Sequence, residues 1–245
     1  MSKAFLLSIL SFGLASALVS QENNQKPAYL EIYRQAIRYN DLNTAAYALT
    51  GIILEGGNES FRDTLALVYY NMNNFPGAYK LAGEINEKNP ENITALTLLA
   101  DITGKAGEVK TSVEWYEKLC KLNASPFNYY QLASKQFILE RNLECKQSLK
   151  KVLEDSTNAN QLKIRLEIGE GYGEDVTVTA AALNMMGAVA YREKDIKGAE
   201  DWYRKAVKSF PDFVIAKQNL QELLKPSAKP ETKKPGNPEP KSKKG

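Results

Sequence analysis

The stretch Ala180–Phe213, AAALNMMGAVAYREKDIKGAEDWYRKAVKSFPDF, decides the fold. Leu183 to Arg192 places apolar residues at helical spacing, and Glu193-Lys194-Asp195 breaks the run with polar residues. Ile196 to Ser209 is a second amphipathic run. Pro211 follows it, where a helix cannot easily continue. The stretch therefore predicts two helices joined by a short turn, with Gly187 and Ala199 as small residues at their contact.

Working outward, the same pattern recurs along the chain. Ala45, Ala78, Ser112, Cys145 and Ala199 form a column of small residues, with steps of 33, 34, 33 and 54. Tyr33, Ala66, Ala100, Ala133 and Gly187 keep the same steps twelve positions earlier, each preceded by an apolar residue. Ile52, Ile85, Leu119, Val152 and Ala206 form another apolar column. One such column could arise by chance; several with a common stride indicate a tandem repeat. A single pair of short amphipathic helices cannot bury its apolar stripe alone, so the units must stack into a solenoid.

Leu183, Met186-Gly187, Ala199, Tyr203, Ala206 and Pro211 stand where the tetratricopeptide repeat has its large, Leu-Gly, Ala, aromatic, Ala and Pro positions. The unit from Ala180 to Phe213 therefore resembles that family. Ser60–Pro90 is similar to it through Leu65-Ala66, Tyr69, Ala78 and Pro90, and the other three units through stride alone. The expected fold class is all-α: a helical solenoid of about five pairs. Residues 26–157 hold repeats 1–4, residues 180–213 repeat 5, and residues 214–225 a capping helix.

The long step adds about twenty residues between the fourth and fifth units. Lys163 to Ile168 and Asp175 to Thr179 alternate polar and apolar around the Gly-rich Gly169 to Glu174. Residues 158–179 are expected to form an inserted β-hairpin with Ile164, Leu166, Ile168, Val176 and Val178 on its apolar face. Two readings stay open for it: a stiffening insert, or an edge that adds a partner's strand. A phosphate loop is disfavoured, because no Gly-Lys-Ser/Thr is present.

Both ends read as lying outside the fold. Lys3, the apolar run Ala4–Leu14 and Ala15-Ser16-Ala17 fit a signal peptide within residues 1–20, cleaved after Ala17 or Ser20. Residues 226–245, rich in Pro and Lys, cannot offset the entropy of ordering and are expected to be a disordered basic tail. From Lys225 onward seven Lys face two Glu, more than the whole chain's net charge of +3, so the folded body is slightly acidic. The tail is read as a solubilising segment or as a weak tether to an anionic envelope surface.

The 245-residue chain contains no His, which removes His-based triads, His general bases and the usual zinc sites. Its two cysteines form no CxxC pair; the repeat register offsets Cys120 from Cys145 by about 12 Å along parallel helices, too far for a disulfide. Two buried free thiols are expected. No catalytic residue, cofactor or metal is assigned, and the acidic body argues against nucleic acid.

The resemblance implies a binding groove formed by the first helix of each unit. By register its lining includes Arg34 and Arg38, then Asp63, Tyr70 and Asn71, then Thr97 and Asp101. It continues through Phe127, Tyr130 and Phe137 to Asn184, Tyr191 and Arg192. The Lys-Asn-Asn-Lys-Arg set with which some relatives grip a chaperone's carboxylate is not reproduced at Leu30, Arg34 and Asp63. The expected function is a noncatalytic protein-interaction scaffold of the cell envelope, periplasmic or alternatively secreted, that takes a peptide or partner segment in the groove. The alternative is a peptidoglycan- or glycan-binding protein that uses the groove aromatics and the basic tail.

Overall fold

The computed structural model describes residues 27–169 and 171–225. The expected signal peptide and basic tail lie outside them. Five helix pairs follow the repeat stride: α1 (Pro27–Arg38) with α2 (Leu42–Leu54), α3 (Ser60–Asn71) with α4 (Phe75–Lys88), and α5 (Ile93–Lys105) with α6 (Val109–Leu122). Then come α7 (Pro126–Ile138) with α8 (Asn142–Glu154), and α10 (Val178–Arg192) with α11 (Ile196–Ser209). Between the last two pairs lie a short helix α9 (Ser156–Gln161) and strands β1 (Lys163–Gly169) and β2 (Tyr172–Thr177). Helix α12 (Val214–Leu224) packs on α11 and ends the described solenoid.

The small-residue columns explain how closely the helices approach. Ala45, Ala78, Ser112, Cys145 and Ala199 are all fully buried. On the facing helices Ala66, Ala100 and Ala133 are equally buried. At Gly187 a Cβ would lie 2.5 Å from the Tyr203 ring, so that crossing tolerates only glycine. Between units, the second helix of one packs on the first helix of the next. The buried side chains fall into successive local clusters rather than one central core, as a solenoid requires. A fully buried Leu such as Leu49, Leu119 or Leu149 contributes roughly 1.5–3 kcal/mol to these clusters.

The turn inside each pair has a fixed form. Asn40, Asn73, Gly107, Glu140 and Lys194 all adopt left-handed backbone, with φ between 56° and 83°. The next residue's N–H returns to the carbonyl five positions back, as in Asp41 to Ala36 at 2.8 Å and Asp195 to Ala190 at 2.9 Å. This satisfies the orphan carbonyls of the first helix. Asp41, Asn74 and Asp195 then cap the second helix by accepting the N–H of Thr44, Gly77 and Gly198. Glu108 and Arg141 hold the same place without a side-chain cap.

The insert departs from its expected boundaries. Residues 156–161 are helical, so the hairpin starts at Lys163 rather than 158. β1 runs to Gly169 and β2 begins at Tyr172, so both strands extend into the Gly-rich stretch, with Gly171 at φ 78°. Val178, expected on the hairpin's apolar face, is instead the first residue of α10 and fully buried. The reason is local: the Thr177 hydroxyl accepts the Ala180 N–H and starts the helix there. The strands pair antiparallel with Ile164 opposite Val176, Arg165 opposite Asp175 and Leu166 opposite Glu174. An extra residue on β1 shifts the register between Glu167 and Gly169, a bulge near the turn. Ile164 and Val176 are buried against the helices, Leu166 partly so, and Ile168 is exposed.

Cys120 and Cys145 are both free and buried.

Candidate functional site

The first helices α3 and α5 are neighbours in space, as are α7 and α10. Their side chains build a polar cluster from three successive units. The Tyr70 hydroxyl, from the last turn of α3, donates to the Asp101 carboxylate on α5. Lys105, one turn beyond Asp101 on α5, donates to that carboxylate and, at 2.5 Å, to the Tyr70 oxygen. Its ammonium also lies 5.0 Å from the centre of the Tyr70 ring. Burial first, and the neighbouring Asp101 charge second, push the Tyr70 phenol well above its usual range, so it stays a donor.

Lys135, on α7, completes the cluster. Gly104 makes room for it: a Cβ at 104 would lie 2.9 Å from Lys135 Cε and 3.2 Å from its Nζ. Burial holds the Lys135 ammonium below the ordinary lysine range; Asp101 counteracts this and Lys105 adds to it. Lys105 and Asp101 are in direct ion contact, whereas Lys135 is not among the ion pairs of the described residues. Two ammonium groups, the paired Lys105 and the half-buried Lys135, therefore stand near the single Asp101 carboxylate. Such an arrangement favours an incoming anion.

The structure distributes the other groove residues unevenly. Arg192 stacks its guanidinium 3.6 Å from the centre of the Phe137 ring and donates to the Phe137 carbonyl at 2.7 Å. It is thus a brace between α10 and α7. Asn184 accepts the amide of Asn219 at 2.9 Å, so α12 occupies that end of the row. Asp63 accepts both of its bonds from Asn92, and burial raises its carboxyl above the usual range. The Asn71 side-chain oxygen is buried and has no hydrogen-bond partner among the described residues. Thr97 turns its hydroxyl onto the Ile93 carbonyl, and Phe127 packs against the C-terminal cluster. Arg34 pairs with Glu31 at 3.4 Å on the surface, Arg38 is exposed, and Tyr191 is 56% exposed.

Tyr130 requires a correction. The register puts it in the groove, but it is only 7% exposed and shares a buried cluster with Ala159 and Val178. The unexpected helix α9 packs on α7 and draws this side chain into the core.

Gly104, Lys105 and Lys135 were not among the residues that register selected. Lys135 carried a usable signal. Its repeat column reads Gln35, Val68, Ile102, Lys135, Val189, and the three apolar members are buried. A lysine among three buried apolar members marks a charge held where the neighbouring units bury a side chain. Lys105 shares the column of Asn71 and Arg192, which had been selected.

Elsewhere, α2, α3 and α4 enclose an open cavity of about 330 Å³, lined by Ile53, Leu54, Leu65, Tyr69 and Leu81. Arg62 and Glu84 pair at 2.6 Å at its edge. Among the described residues no acidic or Cys cluster suits a metal ion, and no helix is long and apolar enough to cross a membrane.

No family model and no curated protein matches the chain. Solved structures do. MamA is 19% identical, with 65% of this chain and 82% of MamA covered at a TM-score of 0.54. YrrB, described as a TPR protein with an unusual peptide-binding site, is 14% identical, covering 80% of this chain and 92% of its own at 0.63. A tetratricopeptide repeat protein from Parabacteroides merdae is 15% identical, covering 80% and 71% at 0.62. Together with five helix pairs on the repeat stride, these likenesses show that the chain has the tetratricopeptide-repeat fold.

Proposed function

We propose that this protein is a noncatalytic scaffold that holds an acidic segment of a partner protein along its first helices. The observation that carries this reading is Lys135: a half-buried ammonium, set beside Lys105 and outside the ion pairs of the described residues. An acidic side chain or a C-terminal carboxylate of the partner would relieve its desolvation. Peptide binding by YrrB, which shares the fold, supports the same use of this one. The sequence holds no His, so general acid–base chemistry by that side chain is not available to it. The glycan reading finds less support. Tyr130 is in the core, Phe137 lies under Arg192 and Tyr70 is tied to Asp101, which leaves few open aromatic faces for a sugar.

The test is a peptide-display selection on the full chain, followed by affinity measurement. Enriched peptides are expected to carry Asp, Glu or an essential free C-terminus, and Lys135→Met should weaken them about tenfold, in line with loss of one charge-assisted bond. Peptides without acidic bias, or affinity indifferent to Lys135, refute the reading.

We place the scaffold in the cell envelope on the strength of residues 1–20. Amino-terminal sequencing of the protein from its native cell should give a start at Leu18 or Gln21; an intact Met1 would count against export.

A further inference from the structure

The inserted hairpin offers a surface that the groove does not use. The Val178 N–H donates to the Leu162 carbonyl at 2.9 Å, so this pair belongs to the hydrogen-bonded set of the antiparallel ladder. Alternation then assigns Ile164/Val176 and Leu166/Glu174 to the same set. The N–H and C=O groups of Lys163, Arg165 and Glu167 therefore point away from β2. Among the described residues, no backbone group outside the hairpin bonds to them. The side chains of these three residues are exposed as well. A free edge of this kind is a template for another strand.

The sequence of that edge says which strand fits it. Ile164-Arg165-Leu166-Glu167-Ile168 has the same apolar pattern in both directions, with opposite charges either side of Leu166. We infer that β1 pairs antiparallel with β1 of a second copy of this chain, about a two-fold axis at Leu166. In this register Arg165 of each copy faces Glu167 of the other, and both belong to the outward-bonding set, so their backbone groups match as well as their charges. Leu166 meets Leu166 on the axis, and the exposed Ile168 comes beside Ile164 of the second copy. Shifting by two residues one way sets Arg165 against Arg165, with Lys163 against Glu167 on either side; shifting the other way sets Glu167 against Glu167. Like charges directly opposite are destabilising, and of the three registers the one centred on Leu166 carries opposite-charge pairs with no like-charge pair, so the edge favours it. The bulge near Ile168 ends the ladder just beyond the pairs it needs.

β2 does not compete for this role. Residues 172–177 carry Glu174 and Asp175 with no cation, so two copies of β2 would repel. Glu174 is in any case engaged with the backbone of α12. The result is a four-stranded sheet bridging two solenoids through one isologous contact. So short a ladder gives a weak, concentration-dependent dimer.

Sedimentation velocity of the full chain over a concentration series tests this. The unaltered protein should show a monomer–dimer equilibrium. Arg165→Glu and Glu167→Arg should each raise the dissociation constant at least about tenfold, since two like-charge contacts replace two favourable ones. Mixing those two variants, or combining both changes in one chain, restores complementary pairs and should restore the dimer. Arg165 also lies 3.5 Å from Asp175 within its own hairpin, so melting curves of each variant accompany the measurement. Recovery in the mixture cannot come from misfolded chains. An unaltered protein that stays monomeric at hundreds of micromolar, or a mixture no more dimeric than its components, overturns the proposal.

Discussion

The carboxylate of Glu174, on the second strand of the inserted hairpin, accepts the backbone N–H of Val214 at 2.8 Å. Its other oxygen accepts that of Ile215 at 3.0 Å. Helix α12 has no side-chain cap from its own Phe213, so the hairpin supplies one from forty residues upstream. Glu174→Ala is expected to cost about 1 kcal/mol, the usual loss for a removed N-cap with its favourable dipole contact. Hydrogen exchange should accelerate at residues 214–217 first. An unchanged denaturant midpoint with unchanged exchange would show that the contact contributes nothing.

The left-handed turn residues give a second test. Glu140 and Lys194 hold φ of 58° and 65° without being Gly or Asn. Left-handed backbone costs an ordinary side chain roughly 1 kcal/mol, and Asn tolerates it better. Glu140→Asn and Lys194→Asn should each raise stability by about 0.5 kcal/mol, additively because the sites are far apart. Asn73→Val, which places a β-branched residue at the same position, should cost more than about 1 kcal/mol. Thermal melts of the three variants decide.

Lys135 links stability to binding in opposite directions. Because burial depresses its pKa, the folded state holds this proton less tightly than the unfolded state does. The cost of the charged form is therefore fully present below the folded pKa. It is relieved as pH climbs through that value toward the unfolded one near 10.5. Lys135→Met should stabilise the protein at neutral pH by on the order of 1 kcal/mol. The advantage over the unaltered chain should shrink as pH rises, while affinity for acidic peptides falls. Gly104→Ala should weaken the same peptides by displacing the lysine chain. A Lys135→Met protein that is less stable at neutral pH would show that the alkyl stem, rather than the charge, dominates there.

Burial pushes both thiols up to about 12; at Cys145 the nearby Arg192 and Lys146 cations partly offset the rise. Both should resist alkylation in the folded protein at pH 8 and react fully once it unfolds, with no reductant added. A requirement for reductant would mean a disulfide and a different register between α6 and α8.

The solenoid was legible in the sequence because its demand is periodic. Each helix crossing needs a small residue, and Ala45 through Ala199 supply one at every unit. The left-handed turn column was harder to see, since Asn40, Asn73, Gly107, Glu140 and Lys194 share a backbone conformation and no side-chain chemistry. The hairpin's alternation showed where strands form, but the start of α10 at Val178 was set by the Thr177 hydroxyl, a contact that alternation cannot register. The groove was least legible. Register places a Cα on a face, but it does not know that α9 covers Tyr130, that Arg192 turns onto Phe137, or that Gly104 admits Lys135 from the next helix.

Each apolar cluster of the first three units bridges two neighbouring units, whereas one larger cluster joins α7, α8, α9, the hairpin, α10, α11 and α12. The long-range ties are unevenly distributed. Its C-terminal half is cross-tied at Glu174 and Arg192, and its N-terminal half is a row of helix pairs each packed on its neighbours. A load applied along the solenoid should therefore open the amino-terminal pairs before the cross-tied hairpin end, an order that single-molecule pulling would read directly.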